Sequence, residues 1–303
     1  MTWRDLYYLI KPIIPRRTQI SIRRSIAAHK RKKVTGFWPI LPKAAQSPNG
    51  WNGWPDHKRF ALILCHDVDT EKGHSQTTKL MSIEQELGFK SSFNFVPEDY
   101  RVSQELRERL IQADFEVGVH GLKHDGNMFR SRKLFDQRAP RINAYLKEWQ
   151  SVGFYSPSMY RQPDWIAELD IEYACSTFDT DPFEPQPNGV DTIFPLRIWN
   201  APRARGYIEL PYTLPQDHLL FILLKEKDIS IWSRKLYWIA EKGGMVRVNV
   251  HPDYMNFSGS KCALEEYPAG YYKEFLEHIK RNFEGQYWHV LPRDLARFWR
   301  NSI

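Results

Sequence analysis

Six side chains in this sequence have the chemistry of a hydrolytic centre: Asp67, Asp69, His120, His124, Arg161 and His251. The two imidazoles of "HGLKH" (120–124) stand four positions apart, and a helical turn or a tight loop would aim both the same way. With one carboxylate they make a three-ligand set that leaves positions open for water and substrate, as catalytic zinc requires. "HDVD" (66–69) offers two carboxylates at spacing two, which an extended chain points to one side. One of the pair can hold a metal ion while the other faces its bound water. Arg161 in "RQPDW" and His251 in "VNVHP" add a fixed positive charge and a further imidazole. Such a set fits metal-assisted hydrolysis.

These residues share a site only if the backbone gathers them. "RFALILC" (from Arg59), "KSSFNFV" (from Lys90), "FEVGVH" (from Phe115), "SMYRQP" (from Ser158), "EYACSTF" (from Glu172) and "MVRVNV" (from Met245) read as strands. Helical spacing falls between them, over 77–87, through "SQELRERLIQA", over 131–149 with Pro140 bending or splitting the helix, over 231–242 and over 271–282. Strands alternating with helices make parallel βαβ units. The expected architecture is a distorted (β/α) barrel, seven-stranded, with a doubly wound open sheet as the alternative. Each chemical residue falls at the C-terminal end of a predicted strand, and in a parallel barrel those ends meet on one face. Between 179 and 215, "DTDPFEPQPNGVDTIFPL" and its surroundings read as an irregular loop insertion.

Charge divides the 303 residues into two parts: an arm over 1–46 and a single domain over 47–303. Residues 1–33 hold ten Lys/Arg and one acid, whereas the other 270 hold 33 basic and 35 acidic side chains. The basic character belongs to the arm, so a nucleic-acid partner for the domain is not expected. The arm lacks the apolar run of a secretory signal or a membrane span. Packing on its own domain is the first expectation, and peripheral contact with an anionic membrane is the second. "SPNGWNGWPDHKRF" (from Ser47) reads as a linker or wrapping loop. Cys65, Cys175 and Cys262 show no CxxC spacing, which suggests reduced thiols and a cytoplasmic location, with the inner membrane surface as a variant of it. The aromatic load of 11 Trp, 15 Tyr and 17 Phe belongs mostly to the core, with Trp165, Trp199, Trp232 and Trp238 also considered as sugar platforms.

Over roughly Arg59 to Tyr254 the sequence resembles the NodB-homology polysaccharide deacetylases, metal-dependent carbohydrate esterases with a distorted (β/α) barrel. "HDVD" looks like the first motif of the Asp-x-Asp branch, which implies Asp67 as catalytic base and Asp69 as metal ligand. "HGLKH" resembles the motif that supplies both metal-binding histidines, here His120 and His124. "RQPDW" is similar to the motif whose arginine orients the base, implying that role for Arg161, and "VNVHP" to the one whose histidine is the general acid, implying His251. Gly121 stands where the family commonly has a Ser or Thr, and Asp164 where an aromatic is usual. Asp179 and Asp181 are the candidates for the carboxylate that pairs with His251.

The resemblance implies one divalent ion, zinc by default, with cobalt, nickel or manganese able to serve. It also implies removal of an N-acetyl group from a sugar polymer or a lipid-linked precursor. Hydrolysis of another linear amide and a catalytically silent carbohydrate- or membrane-binding protein are the competing expectations.

Overall fold

Four consecutive apolar side chains before Cys65 need cover on both faces, and they have it. In a computed structural model, which describes residues 14–302, β1 (Phe60–Val68) is buried along its whole length, as a central parallel strand should be. The chain continues through β2 (Ser92–Phe95), β3 (Glu116–His120), β4 (Gly153–Tyr155), β5 (Tyr173–Cys175), β6 (Leu196–Asn200), β7 (Arg205–Glu209) and β8 (Met245–Val250). A small pair, β9 (Met255–Asn256) and β10 (Tyr267–Pro268), precedes β11 (Tyr287–His289).

The main sheet runs β1–β2–β3–β4–β5–β7–β6, with β8 along the other edge of β1 and β11 beside the start of β1. All its pairings are parallel except β6 with β7. The chain leaving β7 leans on β8, where the amides of Thr213 and Leu214 donate to the Arg247 carbonyl at 3.4 and 3.2 Å. The sheet is thereby curled into the distorted (β/α) barrel. It has nine strands rather than seven. Not among the strands read from the sequence are β4, the β6–β7 hairpin, inside the segment expected to be irregular, and β11; β4 and β11 are only three residues long. A further correction concerns "SMYRQP", which is not a strand. Pairing ends at Tyr155, because Pro157 has no amide to donate and opens a 3₁₀ turn.

The helices are α1 (Arg16–Lys33), α2 (Glu71–Leu87), α3 (Gln104–Gln112), α4 (Arg132–Glu148), the single turn α5 (Pro163–Ile166), α6 (Ser230–Lys242), α7 (Gly270–Phe283) and α8 (Pro292–Ser302). Side-chain oxygens of Thr70, Ser103 and Ser131 accept the first free amides of α2, α3 and α4. Pro140 does not split α4, which remains one helix.

Alternation along β1 sorts its polar groups. His66 faces outward and meets Glu84 of α2 at 2.8 Å, both fully buried, while Asp67 faces the barrel interior. Within the barrel a chain of hydroxyls links Ser92, Tyr155, Tyr173 and Glu116 at 2.8, 2.9 and 2.7 Å. At the N-terminal end of β1 and β8, Trp51 and Trp54 pack on each other and on Trp299 of α8, and the Trp54 indole donates to Gly243 O at 2.8 Å. The Trp-rich segment before β1 is thus a plug built into the core. All three cysteines are free of disulfides. No helix among the described residues is long and apolar enough to cross a membrane. Residues 1–13 of the basic arm lie outside the described residues, and the rest of the helical arm docks on the body through ion pairs from Arg16 to Glu265 and from Arg31 to Glu226.

Candidate active site

Asp69, His120 and His124 converge, with one ligand-type atom from each lying within 4.8 Å of the others. β1 ends one residue before Asp69, and β3 ends on His120. His124 follows in a tight loop that opens on Gly121, whose φ of +65° is left-handed. Glycine adopts that conformation freely, whereas the Ser or Thr common in the related motif would be strained there. The loop is braced: Asp99 accepts the His124 amide at 2.6 Å, and Arg138 grips Asp125 through two bonds of 2.9 and 2.6 Å.

Asp69 Oδ1 stands 3.3 Å from His120 Nε2 and 3.5 Å from His124 Nε2. The same Oδ1 is buried without a hydrogen-bond partner. His120 Nδ1 sits 3.2 Å from the Tyr155 carbonyl, which selects the tautomer with a lone pair on Nε2. An orphan carboxylate oxygen facing two imidazole nitrogens is a poor resting arrangement for a structural cluster and a good donor set for one divalent cation. Asp253 holds the turn below, accepting from the Asp69 amide at 3.1 Å and the Thr70 hydroxyl at 2.5 Å. A cavity of about 340 Å³ opens against Asp69, Thr70, Tyr100 and His124.

Asp67 is 4% exposed and held by neutral amides. Asn94 Nδ2 donates to its Oδ1 and Asn249 Nδ2 to its Oδ2, each at 2.9 Å. Register explains the first bond, since Asp67 and Asn94 are partners across β1 and β2. Gly118, the partner of Asn94 on β3, leaves the needed space; a Cβ there would come within 2.3 Å of Asn94 Oδ1. Burial pushes the Asp67 carboxyl up, but the positive charges of His120, His251 and Arg247 outweigh it and hold the group below its ordinary value. Asp67 therefore stays ionised at neutral pH. Removing one amide as Asn249→Leu should leave that carboxylate free to rotate, lowering kcat by about tenfold with little change in KM. Steady-state kinetics on the purified variant checks this.

Arg161 is not the residue that orients Asp67. Its guanidinium donates to the carbonyls of Met159, Gln186 and Asn188, and its amide donates to Gln186 Oε1. Its donors are committed to the 186–188 segment, and the acceptors of Asp67 are committed to two asparagines. Among the described residues the charge nearest to the arginine's expected role is Arg247, fully buried on β8.

His251 follows β8 directly and meets a carboxylate other than the two expected. Asp217 Oδ1 is 2.7 Å from His251 Nδ1, while its Oδ2 accepts the His251 amide at 2.8 Å and the Tyr267 hydroxyl at 3.0 Å. Asp179 is bound instead to the buried Lys235 at 2.7 Å, and Asp181 accepts from Tyr212 at 2.8 Å. Both anchor the 179–190 loop. Burial alone would lower the His251 imidazole, yet the Asp217 carboxylate raises it to about 10. The imidazole is protonated across the neutral range.

Asn94, Asn249, Asp217 and Asp253 are the residues that reading the sequence misses. The asparagines do leave a signal: each is polar within an apolar strand, on the inward side of the alternation. Asp217 leaves none, for it precedes an irregular helical turn over His218–Leu223.

No protein-family model matches this chain, and no curated protein matches it either. Solved structures do. A Mycobacterium smegmatis protein described as a polysaccharide deacetylase superposes with a TM-score of 0.64 at 18% identity, covering 84% of this chain and 95% of that one. One from Pseudomonas aeruginosa PAO1, of the same description, gives 0.63 at 13% identity, over 88% and 97%. Puue allantoinase gives 0.66 at 14% identity, over 87% and 98%. The chain thus has the fold of the NodB-homology polysaccharide deacetylases, a fold carried also by an allantoinase.

Proposed function

We propose that this protein is a metal-dependent hydrolase that removes N-acetyl groups from an amino sugar in a polysaccharide or its precursor. One observation carries the reading. A three-ligand group shares the C-terminal ends of β1, β3 and β8 with an ionised, clamped carboxylate, Asp67, and an imidazole that Asp217 keeps protonated, His251. A base and an acid flanking an open metal position are what amide hydrolysis asks for, and a silent binding protein needs neither.

Asp69, His120 and His124 would hold the ion, zinc by the donor set, with cobalt, nickel or manganese as alternatives. Once bound, such an ion supplies polarisation of the amide carbonyl and a more acidic water. Asp67 takes the proton of the attacking water. Its position is fixed by Asn94 and Asn249, so the transfer needs no side-chain rearrangement. His251 gives its proton to the departing sugar amine, and Asp217 stabilises the imidazolium that must be present beforehand. The products are acetate and a free amino sugar.

The assignment of His251 fixes the sign of a pH effect. The acid form is active, so activity is full below the imidazole pKa and lost as pH rises through it. Asp217→Asn removes the charge that raises that pKa and should move the alkaline limb of kcat/KM to lower pH by about one unit or more. A pH profile of the variant beside wild type reads the shift directly.

The polymer's or precursor's acetamide could belong to a lipid-linked carrier, which would place the protein at the inner membrane surface. The outer face of α1 suits that position, with Ile22 and Ile26 exposed at 44% and 60% among Arg17, Lys32 and Lys33. Another amide is the alternative substrate, since a protein named an allantoinase shares the fold. The test is acetate release from a panel of N-acetylated oligosaccharides by the zinc-loaded chain, with a chelated control. Release that chelation abolishes supports the reading; silence across the panel with one ion bound per chain turns the search to other amides.

A further inference from the structure

The Asn249 amide that clamps Asp67 is itself held from behind. Its Nδ2 lies 2.9 Å from Asp67 Oδ2 and 3.3 Å from Gln216 Oε1, so each of its two hydrogens has an acceptor. Gln216 turns its own nitrogen away, and Nε2 donates to Glu184 Oε1 at 2.9 Å. Tyr212 OH stands 2.9 Å from that same oxygen and 2.8 Å from Asp181 Oδ2. An unbroken line of hydrogen bonds therefore runs from the 179–190 loop to the carboxylate assigned as base.

The directions agree along the line. Glu184 accepts from the Gln216 nitrogen, the Gln216 oxygen accepts from the Asn249 nitrogen, and that nitrogen serves Asp67. An Asn249 amide turned over would face oxygen on both sides, and a turned Gln216 would set nitrogen against nitrogen. The Tyr212 hydroxyl has one hydrogen for the two carboxyl oxygens it meets, so Asp181 and Glu184 hold a proton between them. Partial burial and the neighbouring Asp181 push the Glu184 carboxyl up to about 8, which makes it the holder at neutral pH. Glu184 thus offers an acceptor oxygen without setting a second negative charge near the base.

The fold fixes each member. Asn249 is paired with Cys65 across β8 and β1. Gln216 sits between Pro215, whose carbonyl accepts from the buried Trp232 indole at 2.7 Å, and Asp217, which holds His251. Glu184 belongs to the loop whose carbonyls at 186 and 188 accept from Arg161.

We infer that Gln216 and Glu184 are positioning residues for Asp67, acting through Asn249. The 179–190 loop, which Arg161 holds, thereby does the orienting that the motif assigns to the arginine itself. Neighbouring residues of one segment then serve both ends of the reaction, Gln216 the base and Asp217 the acid. The inference deepens the deacetylase reading and rests on it for the word base, though not for the line of bonds.

Two measurements on the zinc-loaded full chain test it together. In steady-state acetate release, Gln216→Leu and Glu184→Leu should each lower kcat about fivefold with KM unchanged. Glu184→Gln, which keeps an accepting oxygen, should recover most of what Glu184→Leu loses. Added to Asn249→Leu, Gln216→Leu should cost nothing further, because its effect passes through that amide. A loss that is the same with or without Asn249, a rise in KM instead of a fall in kcat, or a Glu184→Gln as poor as Glu184→Leu would overturn the inference. Side-chain amide hydrogen exchange, read by NMR on asparagine-labelled protein, needs no turnover. Gln216→Leu and Glu184→Leu should speed exchange at Asn249 Nδ2 about tenfold and leave Asn94 Nδ2, which clamps the other oxygen of Asp67, as it was. That pattern without acetate release would keep the line of bonds and remove the deacetylase reading. Exchange that changes equally at both asparagines, or at neither, would overturn the line itself.

Discussion

Asp67→Asn lowers kcat by about a thousandfold while the protein still retains one divalent ion per chain. The size follows from what a positioned base contributes, about 10²- to 10⁴-fold. Retention of the ion follows from the geometry, because Asp67 donates no atom to the three-ligand group. Asp67 Oδ1 comes to 3.9 Å from His120 Nδ1, whereas the other ring nitrogen, Nε2, is the one that meets Asp69, at 3.3 Å. Substitution also turns one of the two amide contacts donor against donor, so the new amide can keep only one asparagine satisfied. Metal analysis after dialysis, beside turnover of the same sample, separates the loss of a base from the loss of a site. Disappearance of the ion together with activity would mean that the roles of Asp67 and Asp69 are reversed.

His120→Gln has the complementary outcome: the ion is lost, and turnover with it. His120 is 2% exposed, and its Nδ1 is tied to the Tyr155 carbonyl. Altering the partner of a metal-binding histidine costs about 10- to 100-fold in affinity, and removing the histidine itself should cost more, about a thousandfold. Equilibrium dialysis against a zinc buffer measures the difference. The fold should survive, since the main-chain pairing of β3 with β4 does not depend on the imidazole. A folded variant, empty of metal and inactive, is the expected product.

The parts of the site that the sequence makes legible are those fixed by a strand end. Asp67, Asp69, His120 and His251 are positioned by β1, β3 and β8, whose apolar runs announce themselves, and parallel pairing brings their ends together. His124 follows four residues after His120, close enough that a short loop keeps it in reach. What stays hidden depends on partners chosen in three dimensions. Asp217 reaches His251 across 34 positions, from a turn without any periodic pattern. Arg161 follows a motif, but its partner was set by where the 186–188 carbonyls fall, so local spacing pointed it at the wrong group. The strand count failed for a similar reason. β4 and β11 are three residues each, too short to show alternation, and the β6–β7 hairpin lies within a stretch dominated by Pro, Asn and Gly.

Packing on its own domain, the first expectation for the basic arm, describes residues 16–33: they form one helix fixed to the body by Arg24 on Ile222 O and by ion pairs from Arg16 to Glu265 and from Arg31 to Glu226.

The central claim is that one ion held by Asp69, His120 and His124 makes this chain a deacetylase. Returning zinc stepwise to the metal-stripped protein, while acetate release from an N-acetylated oligosaccharide is followed, tests it most directly. The account predicts that activity rises in proportion to added zinc and stops rising at one equivalent per chain. Acetate release that is undiminished by stripping, or a chain that takes up no zinc at that group, would contradict it.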